Sequence, residues 1–420
     1  MSLFGLAATV PHGPDDVSTV LIALAAVMVG AKLFGELLER TGQPAVLGEL
    51  LFGIVLGNLA TFGGGIAELR GNATFAVLAE LGAILLLFHV GLESTPREML
   101  AVGGRAALVA LVGVVTPMLL GFGVGELLRP QESRMLHAFL GAMLAATSVG
   151  ITARVLKDAG ALRSGFARII LGAAVIDDVL GLLVLAVVSA LIMAAGTGQP
   201  VGLVPMALIV VKAVLLLVGA LVVGSLLSPR LFRSALALRS SGVVQALALS
   251  FCFILSYLAL LAGLAPIVGA FAAGLVLEDV HFKDHVDRGE RPLHQTLEPL
   301  IALLVPVFFV RMGMLVDISS FASPAVLGFA ALLTLAAVAG KLVCGLVVPK
   351  GMSRLSVGLG MMPRGEVGLI FAGIGAQLVL DGRPVVDAGV YAAAVFMVVA
   401  TTMATPPLLL WSMRRSRKST

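Results

Sequence analysis

Residues 173–181 read Ala-Ala-Val-Ile-Asp-Asp-Val-Leu-Gly, so two adjacent carboxylates, Asp177 and Asp178, lie midway along an apolar run from Ile169 to Met193. A run of this length can cross a bilayer, which takes about 20 residues. One carboxylate at mid-bilayer depth costs roughly 2.5–3.5 kcal/mol, so two in a row need partners or a role in handling ions. We therefore interpret the doublet as a cation and proton site. The alternative is a buried pair that only braces neighbouring helices.

The composition places the whole chain in a membrane. Of its 420 residues, 59% are hydrophobic and 12% are charged. A soluble domain does not need such a composition, so the chain is predicted to be a polytopic all-α membrane protein in contact with lipid. The net charge of +4 fits loops beside the membrane, so we expect no nucleic-acid partner. We also expect no cofactor and no enzymatic activity, because the sequence shows no nucleophile–base set and no metal-ligand cluster.

Hydropathy divides the chain into about 13 spans. Their predicted limits are Val17–Arg40, Ala45–Thr61, Ala73–Glu93, Ala106–Leu128, Leu136–Lys157, Gly165–Ala195, Leu203–Leu227, Gly242–Gly263, Pro266–Val280, Leu293–Val316, Pro324–Val348, Leu355–Leu380 and Val386–Trp411. Lys and Arg are concentrated in alternate connections. This pattern predicts that the N-terminus lies outside and the C-terminus lies in the cytoplasm.

Spans 1–6 and spans 8–13 resemble two copies of one unit. Span 2 carries Gly48 and Gly53 after a proline, and span 9 carries Gly269 and Gly274 after a proline. An odd number of spans separates the start of one copy from the start of the other, so the second copy is predicted to be inverted in the membrane. Inverted repeats are typical of secondary transporters, whose substrate sites lie near mid-depth between discontinuous helices.

Two spans contain residues that weaken a helix at their centres. Span 5 contains Thr147 and Ser148 followed by a glycine, and span 12 contains Pro363 and Gly365. Proline removes an N–H donor and glycine loosens the turn, so each span is predicted to break there, with a simple kink as the alternative. Backbone unwound at this depth survives only where protein or water satisfies it, and its carbonyl oxygens can bind a cation.

The oxygens of Asp177, Asp178, Thr147 and Ser148 are the ligands that we expect for Na⁺ or a similar monovalent ion. Burial favours the protonated form of a carboxyl group, so protons compete with the cation for the same site. Lys341 lies about two-thirds along span 11 and needs a counter-charge, for which a carboxylate of the doublet is the natural choice. The alternative for this lysine is an ammonium group that reaches the inner interface.

Arg364 and Glu366 lie at the predicted break of span 12. We interpret both mainly as charges that satisfy the crossing half-helices, with Glu366 also a candidate for the ion route. His89 and Arg311 occupy aligned positions in the two copies. Because histidine changes charge near neutral pH, the two could tune a pH response; the alternative is two polar residues at helix ends.

Four stretches carry a resemblance to a known family: residues 147–156, residues 172–181, Gly340-Lys341 and residues 362–368. Together they resemble the bacterial monovalent cation:proton antiporter-2 family, and most closely its NapA-type sodium/proton exchangers. Gln43-Pro44, Gly48-Glu49 and residues 88–93 are also similar, so the likeness covers essentially the whole chain.

The resemblance implies an NhaA-like fold, a homodimer in the bacterial inner membrane, and elevator-type exchange of two protons for each Na⁺. It implies that Asp178 is the main ion-binding carboxylate and that Asp177 is the partner of Lys341. It also implies a dimerisation domain, an ion-translocating core and a linker helix. The dimerisation domain would comprise residues 17–93 and 242–316. The ion-translocating core would comprise residues 106–195 and 324–411, and the linker helix residues 203–227.

Two other transport functions stay open. Residue types do not separate Na⁺ from K⁺, so K⁺/H⁺ exchange is an alternative substrate choice. A cation channel could use the same carboxylates, although a channel needs a continuous pore, and broken helices in inverted repeats favour alternating access.

Overall fold

A computed structural model describes residues 17–59, 71–93, 103–161, 164–196, several positions between 211 and 226, and residues 242–262, 264–286, 293–349, 352–380 and 382–417. Most of the predicted seventh span, Leu203–Leu227, lies outside the described residues.

The α-helices within these ranges are α1 (Val17–Arg40), α2 (Ala45–Leu59), α3 (Ala73–Glu93), α4 (Gly103–Leu128), α5 (Arg134–Ala145), α6 (Val149–Asp158), α7 (Gly165–Gly196), α8 (Val243–Leu261), α9 (Pro266–Val286), α10 (Leu293–Met314), α11 (Pro324–Cys344), α12 (Arg354–Gly360), α13 (Gly365–Gln377) and α14 (Ala388–Arg417). Short 3₁₀ helices cover Ile318–Ala322 and Gly345–Val347.

Eight of the described helices are long and apolar enough to cross a membrane: α1, α3, α4, α7, α8, α10, α11 and α14. Shorter apolar helices cover Ala45–Leu59, Arg134–Ala145, Pro266–Leu277 and Val367–Gln377. The predicted class, a helical membrane protein, is confirmed. The count of about 13 spans and the inverted repeat stay predictions.

Several predicted limits differ from the structure, each for a local reason. The helices α9 and α14 continue past Val280 and Trp411 to Val286 and Arg417, because a helix can extend into polar sequence where hydropathy falls. Span 12 was predicted to run to Leu380, but α13 ends at Gln377. A two-stranded antiparallel hairpin follows, with Val379–Leu380 as β1 and Arg383–Pro384 as β2, and Gly382 supplies the positive φ (77°) that a tight turn needs.

The chain divides into two compact units: Met1–Ala83 with Leu300–Asp317, and Ile84–Pro299 with Ile318–Thr420. In the first unit, α2 packs closely on two helices through its glycines. A Cβ at Gly48 would overlap the carbonyl group of Phe34 in α1, and a Cβ at Gly53 would overlap that of Val310 in α10. Glycine is therefore required at both positions by the approach of neighbouring backbone.

The second unit repeats this arrangement in α9. A Cβ at Gly269 would overlap the carbonyl group of Leu255 in α8, and a Cβ at Gly274 would overlap that of Phe88 in α3. In each unit the first glycine of the motif faces the preceding helix, and the second faces a helix that is distant in sequence. The two glycine motifs therefore have the same packing role. The functional division into a dimerisation domain and a core stays a prediction.

The second unit also contains the elements that position the candidate site: α4 to α7 and α11 to α14. The helix α11 approaches α4 at Gly340, where a Cβ would lie 2.7 Å from the Cα of Pro117. Buried apolar side chains of α4, α6, α7, α12 and α14 form one continuous cluster. Helices packed to interior density hold the polar groups between them in fixed positions.

Candidate ion-binding site

The acidic doublet lies within α7, and its two carboxylates have different surroundings. Asp177 is fully buried, whereas Asp178 is partly exposed. Successive residues of an α-helix point about 100° apart, so the two side chains leave α7 in different directions. Two chemically identical groups can therefore take different roles.

Lys341 lies beside Asp177. Its Nζ donates a hydrogen bond to Oδ1 of Asp177 over 2.8 Å, and both side chains are 0% exposed. Gly113 of α4 borders the pair, because a Cβ there would lie 3.5 Å from that Nζ and 3.7 Å from that Oδ1. Oδ2 of Asp177 accepts no hydrogen bond within the described part of the chain. The buried ion pair thus keeps one carboxylate oxygen available.

Both predicted breaks are present, and their segments contact each other. The backbone is extended at Ala146, and α6 begins at Val149; α12 ends at Gly360, and α13 begins at Gly365. Hydrogen bonds join the two segments, among them those from Ser148 N to the Pro363 carbonyl (2.8 Å), from Thr147 Oγ1 to the Met361 carbonyl (3.4 Å) and from Thr152 Oγ1 to the Gly360 carbonyl (2.6 Å). Each break therefore satisfies polar groups of the other, as buried backbone requires.

Arg364 is fully buried at the second break and holds it against two neighbours. Its Nη1 donates to the carbonyl of Ala146, and its Nη2 donates to the carbonyl of Ala337 over 3.1 Å. Ala146 follows the last residue of α5, so the guanidinium offsets the negative end of that helix dipole. Ala337 lies one turn before Lys341 on α11. The guanidinium of Arg364 and the ammonium of Lys341 are therefore found at neighbouring turns of this helix.

The doublet and the first break are also close together. A Cβ at Gly181 would lie 3.6 Å from the Cα of Ala146, and Gly181 lies about one helical turn after the doublet. The structure thus brings Asp177, Lys341 and Arg364 together with Thr147 and Ser148, which are both buried. This arrangement offers hard oxygen ligands beside two opposing half-helix ends, which suits a small cation.

Other predicted residues have a different outcome. The side chain of Glu366 lies outside the described residues. His89 belongs to the second unit and Arg311 to the first, and both side chains are partly exposed. Their tuning role stays a prediction.

Sequence reasoning missed Gly113, and it missed Cys344, whose Sγ donates to the Lys341 carbonyl over 2.8 Å. Gly113 is one of 49 glycines, and Cys344 lies within a long apolar run. Neither carried a signal that could distinguish it.

Comparisons with known proteins give a family and several relatives for this chain. A family model described as "Sodium/hydrogen exchanger, transmembrane" matches residues 22–411. The high-affinity Na⁺/H⁺ antiporter NhaS3 of Synechocystis is 38% identical, with 94% of this chain and 90% of that protein covered. The Na⁺/H⁺-K⁺ antiporter GerN of Bacillus cereus is 32% identical, with 93% and 95% covered.

A solved structure, that of the sodium proton antiporter MjNhaP1 from Methanocaldococcus jannaschii at pH 8, has a similar fold. The TM-score is 0.69 at 18% sequence identity, and the match covers 96% of this chain and 97% of that one. At this identity the likeness concerns the fold alone.

Proposed function

This chain belongs to the sodium/hydrogen exchanger family, and we propose that it exchanges Na⁺ or Li⁺ for H⁺ across the bacterial inner membrane. The family is one of transporters, so the chain is a transporter and not an enzyme. Na⁺ is proposed because the relative NhaS3 is named as an Na⁺/H⁺ antiporter and the name of GerN also includes Na⁺/H⁺ exchange.

The observation that carries the proposal is the asymmetry of the doublet. Asp177 is held by Lys341, while Asp178 lies next to it in sequence with partial exposure. We assign Asp178 as the main carboxylate that holds either Na⁺ or H⁺. Because one carboxylate cannot bind both at once, loading one ion on one side of the membrane displaces the other, which is sufficient for exchange.

The buried pair supplies a second proton in this proposal. When Na⁺ enters, the open Oδ2 of Asp177 turns toward the ion, and the carboxylate weakens its bond to Lys341. An ammonium without a counter-charge in an apolar site favours the neutral amine, so Lys341 releases a proton. Two protons then leave for one Na⁺, and exchange is electrogenic. Thr147 and Ser148 contribute hydroxyl or carbonyl oxygens to the same ion.

Alternating access follows from the proposed architecture of about 13 spans in two inverted repeats. The equivalent packing of the Gly48–Gly53 and Gly269–Gly274 motifs supports the repeat. The core helices carry the site past a dimerisation domain in an elevator motion, within a homodimer. The N-terminus lies outside and the C-terminus lies in the cytoplasm, as the distribution of Lys and Arg favours.

K⁺/H⁺ exchange is the second candidate, because the relative GerN is named as an Na⁺/H⁺-K⁺ antiporter. The same oxygens can bind either ion, and the size of the loaded site decides between them. A cation channel is disfavoured by two breaks that hydrogen-bond directly to each other.

Purified protein in proteoliposomes with an internal pH dye tests the proposal. Addition of Na⁺ or Li⁺ outside acidified vesicles should raise the fluorescence within seconds, and K⁺ should give a much smaller signal. A response to K⁺ equal to that for Na⁺ would replace Na⁺/H⁺ exchange by the second candidate. Ion conductance without proton counterflow would favour a channel.

A further inference from the structure

Thr402 reaches the second break from a different helix. It is fully buried in α14, and its Oγ1 accepts a hydrogen bond from the backbone N–H of Gly365 over 3.2 Å. Gly365 is the first residue of α13, and the first N–H groups of a helix have no partner inside that helix. The hydroxyl of Thr402 therefore performs the role of an N-cap from 37 residues away along the chain.

The residue that Thr402 holds is in direct contact with a candidate ion ligand. The backbone of Gly365 has φ +38°, and a Cβ there would overlap the side chain of Ser148. Ser148 also donates its backbone N–H to the carbonyl of Pro363, two residues before Gly365. A displacement of the start of α13 must therefore move Ser148 as well.

Two neighbouring hydroxyls on α14 behave differently. Thr401 Oγ1 donates to the carbonyl of Met397 over 2.8 Å, and Thr405 Oγ1 donates to the carbonyl of Thr401 over 2.7 Å. Both bonds return to the backbone of α14 itself, as threonine in a helix commonly does. Thr401 and Thr405 thus share the burial and residue type of Thr402, but their hydroxyls donate to carbonyl groups of their own helix.

We propose that Thr402 is a positioning residue for ion binding: its hydroxyl fixes the start of α13, and through Gly365 it fixes Ser148 in the place where the cation is held. This inference rests on the proposed exchange function. It extends the site beyond the two broken helices to α14.

The test is transport kinetics of Thr402→Val, which removes the acceptor at nearly constant volume. The loss of one cap should raise the apparent KM for Na⁺ about fivefold, with the maximal rate at saturating Na⁺ retained. The ratio of the apparent KM of Thr402→Val to that of the original protein should be the same at two pH values, because the carboxylates that bind protons are unchanged. Thr402→Ser keeps the hydroxyl and should keep the KM of the original protein.

Thr405→Val is the matched control and should leave KM unchanged. An unchanged KM in Thr402→Val would overturn the inference, as would equal losses in Thr402→Ser and Thr402→Val. A KM factor that varied with pH would also overturn it, by placing the effect on a carboxylate. Thr402→Ala serves in the same way if the valine variant does not fold. The unsubstituted protein tests the function separately: absence of exchange there would refute the proposed function itself.

Discussion

Two pairs of opposite charges in the second unit have similar geometry and different surroundings. Lys341 Nζ lies 2.8 Å from Oδ1 of Asp177, and both side chains are 0% exposed. Arg129 Nη1 lies 2.6 Å from Oδ2 of Asp387, with side chains that are 22% and 49% exposed. The first pair joins α7 to α11 beside the breaks, and the second joins the end of α4 to the start of α14.

The contrast shows that the distance between two charges does not by itself determine what an ion pair contributes to stability. A buried pair loses the hydration of both charges, and its attraction often does no more than offset that cost. An exposed pair retains much of its hydration and contributes about 0–1 kcal/mol. The Lys341–Asp177 pair is therefore poorly explained as a stabilising device. The proposed role in moving a proton would account for its burial and for the Oδ2 that accepts no hydrogen bond within the described residues.

The largest stability effect is expected for Lys341→Ala. Removal of the ammonium leaves the Asp177 carboxylate buried without a counter-charge, which should cost roughly 3–5 kcal/mol. Thermal melting of the detergent-purified protein, followed by fluorescence-detected size exclusion, measures the effect. An unchanged melting temperature would mean that Asp177 does not depend on Lys341.

The double variant Lys341→Ala with Asp177→Asn sharpens the comparison. Neutralising both partners removes the unpaired charge, so the melting temperature should recover most of the loss seen in the single variant. If the melting temperature of the double variant fell by the sum of the decreases in the two single variants, the result would contradict the pairing. Asp177→Asn alone is the control that gives the second single loss.

The smallest effect is expected for Asp387→Asn in the exposed pair. The amide oxygen can still accept the hydrogen bond from the backbone N–H of Val390 (2.7 Å), so the variant removes mainly the charge. The cost should be below about 1 kcal/mol, and it should shrink further in choline chloride, which screens exposed charges without supplying the transported ion. A loss as large as that of Lys341→Ala would abolish the distinction between the two pairs.

The sequence predicted much of the fold because apolar runs bounded by charged residues leave few choices in a membrane. The limits of α1 and α3 were predicted as Val17–Arg40 and Ala73–Glu93 and are observed there. Helix-weakening residues also located both breaks, Thr147 and Ser148 in span 5 and Pro363 and Gly365 in span 12. Proline alone is not a sufficient signal, because Pro117 lies inside α4 without ending that helix. The hairpin after Gln377 was missed, because Val379 and Leu380 continue the apolar pattern of the span.

Parts of the candidate site were not predictable for a different reason. The need of Lys341 for a counter-charge suggested an acidic partner from charge balance alone. By contrast, Gly113, Ala337 and Thr402 act through backbone position or a hydroxyl, and these features are common along the chain. Which of them faces the site depends on how α4, α11 and α14 pack, and that information is tertiary.

The central claim is that Asp178 alternately holds a cation and a proton while Asp177 is held by Lys341. Asp178→Asn in proteoliposomes tests it most directly, with Na⁺-driven proton flux measured at the same protein density as the unsubstituted chain. We predict that the variant is folded and gives no proton flux above that of empty vesicles. Flux equal to that of the unsubstituted protein would contradict the claim.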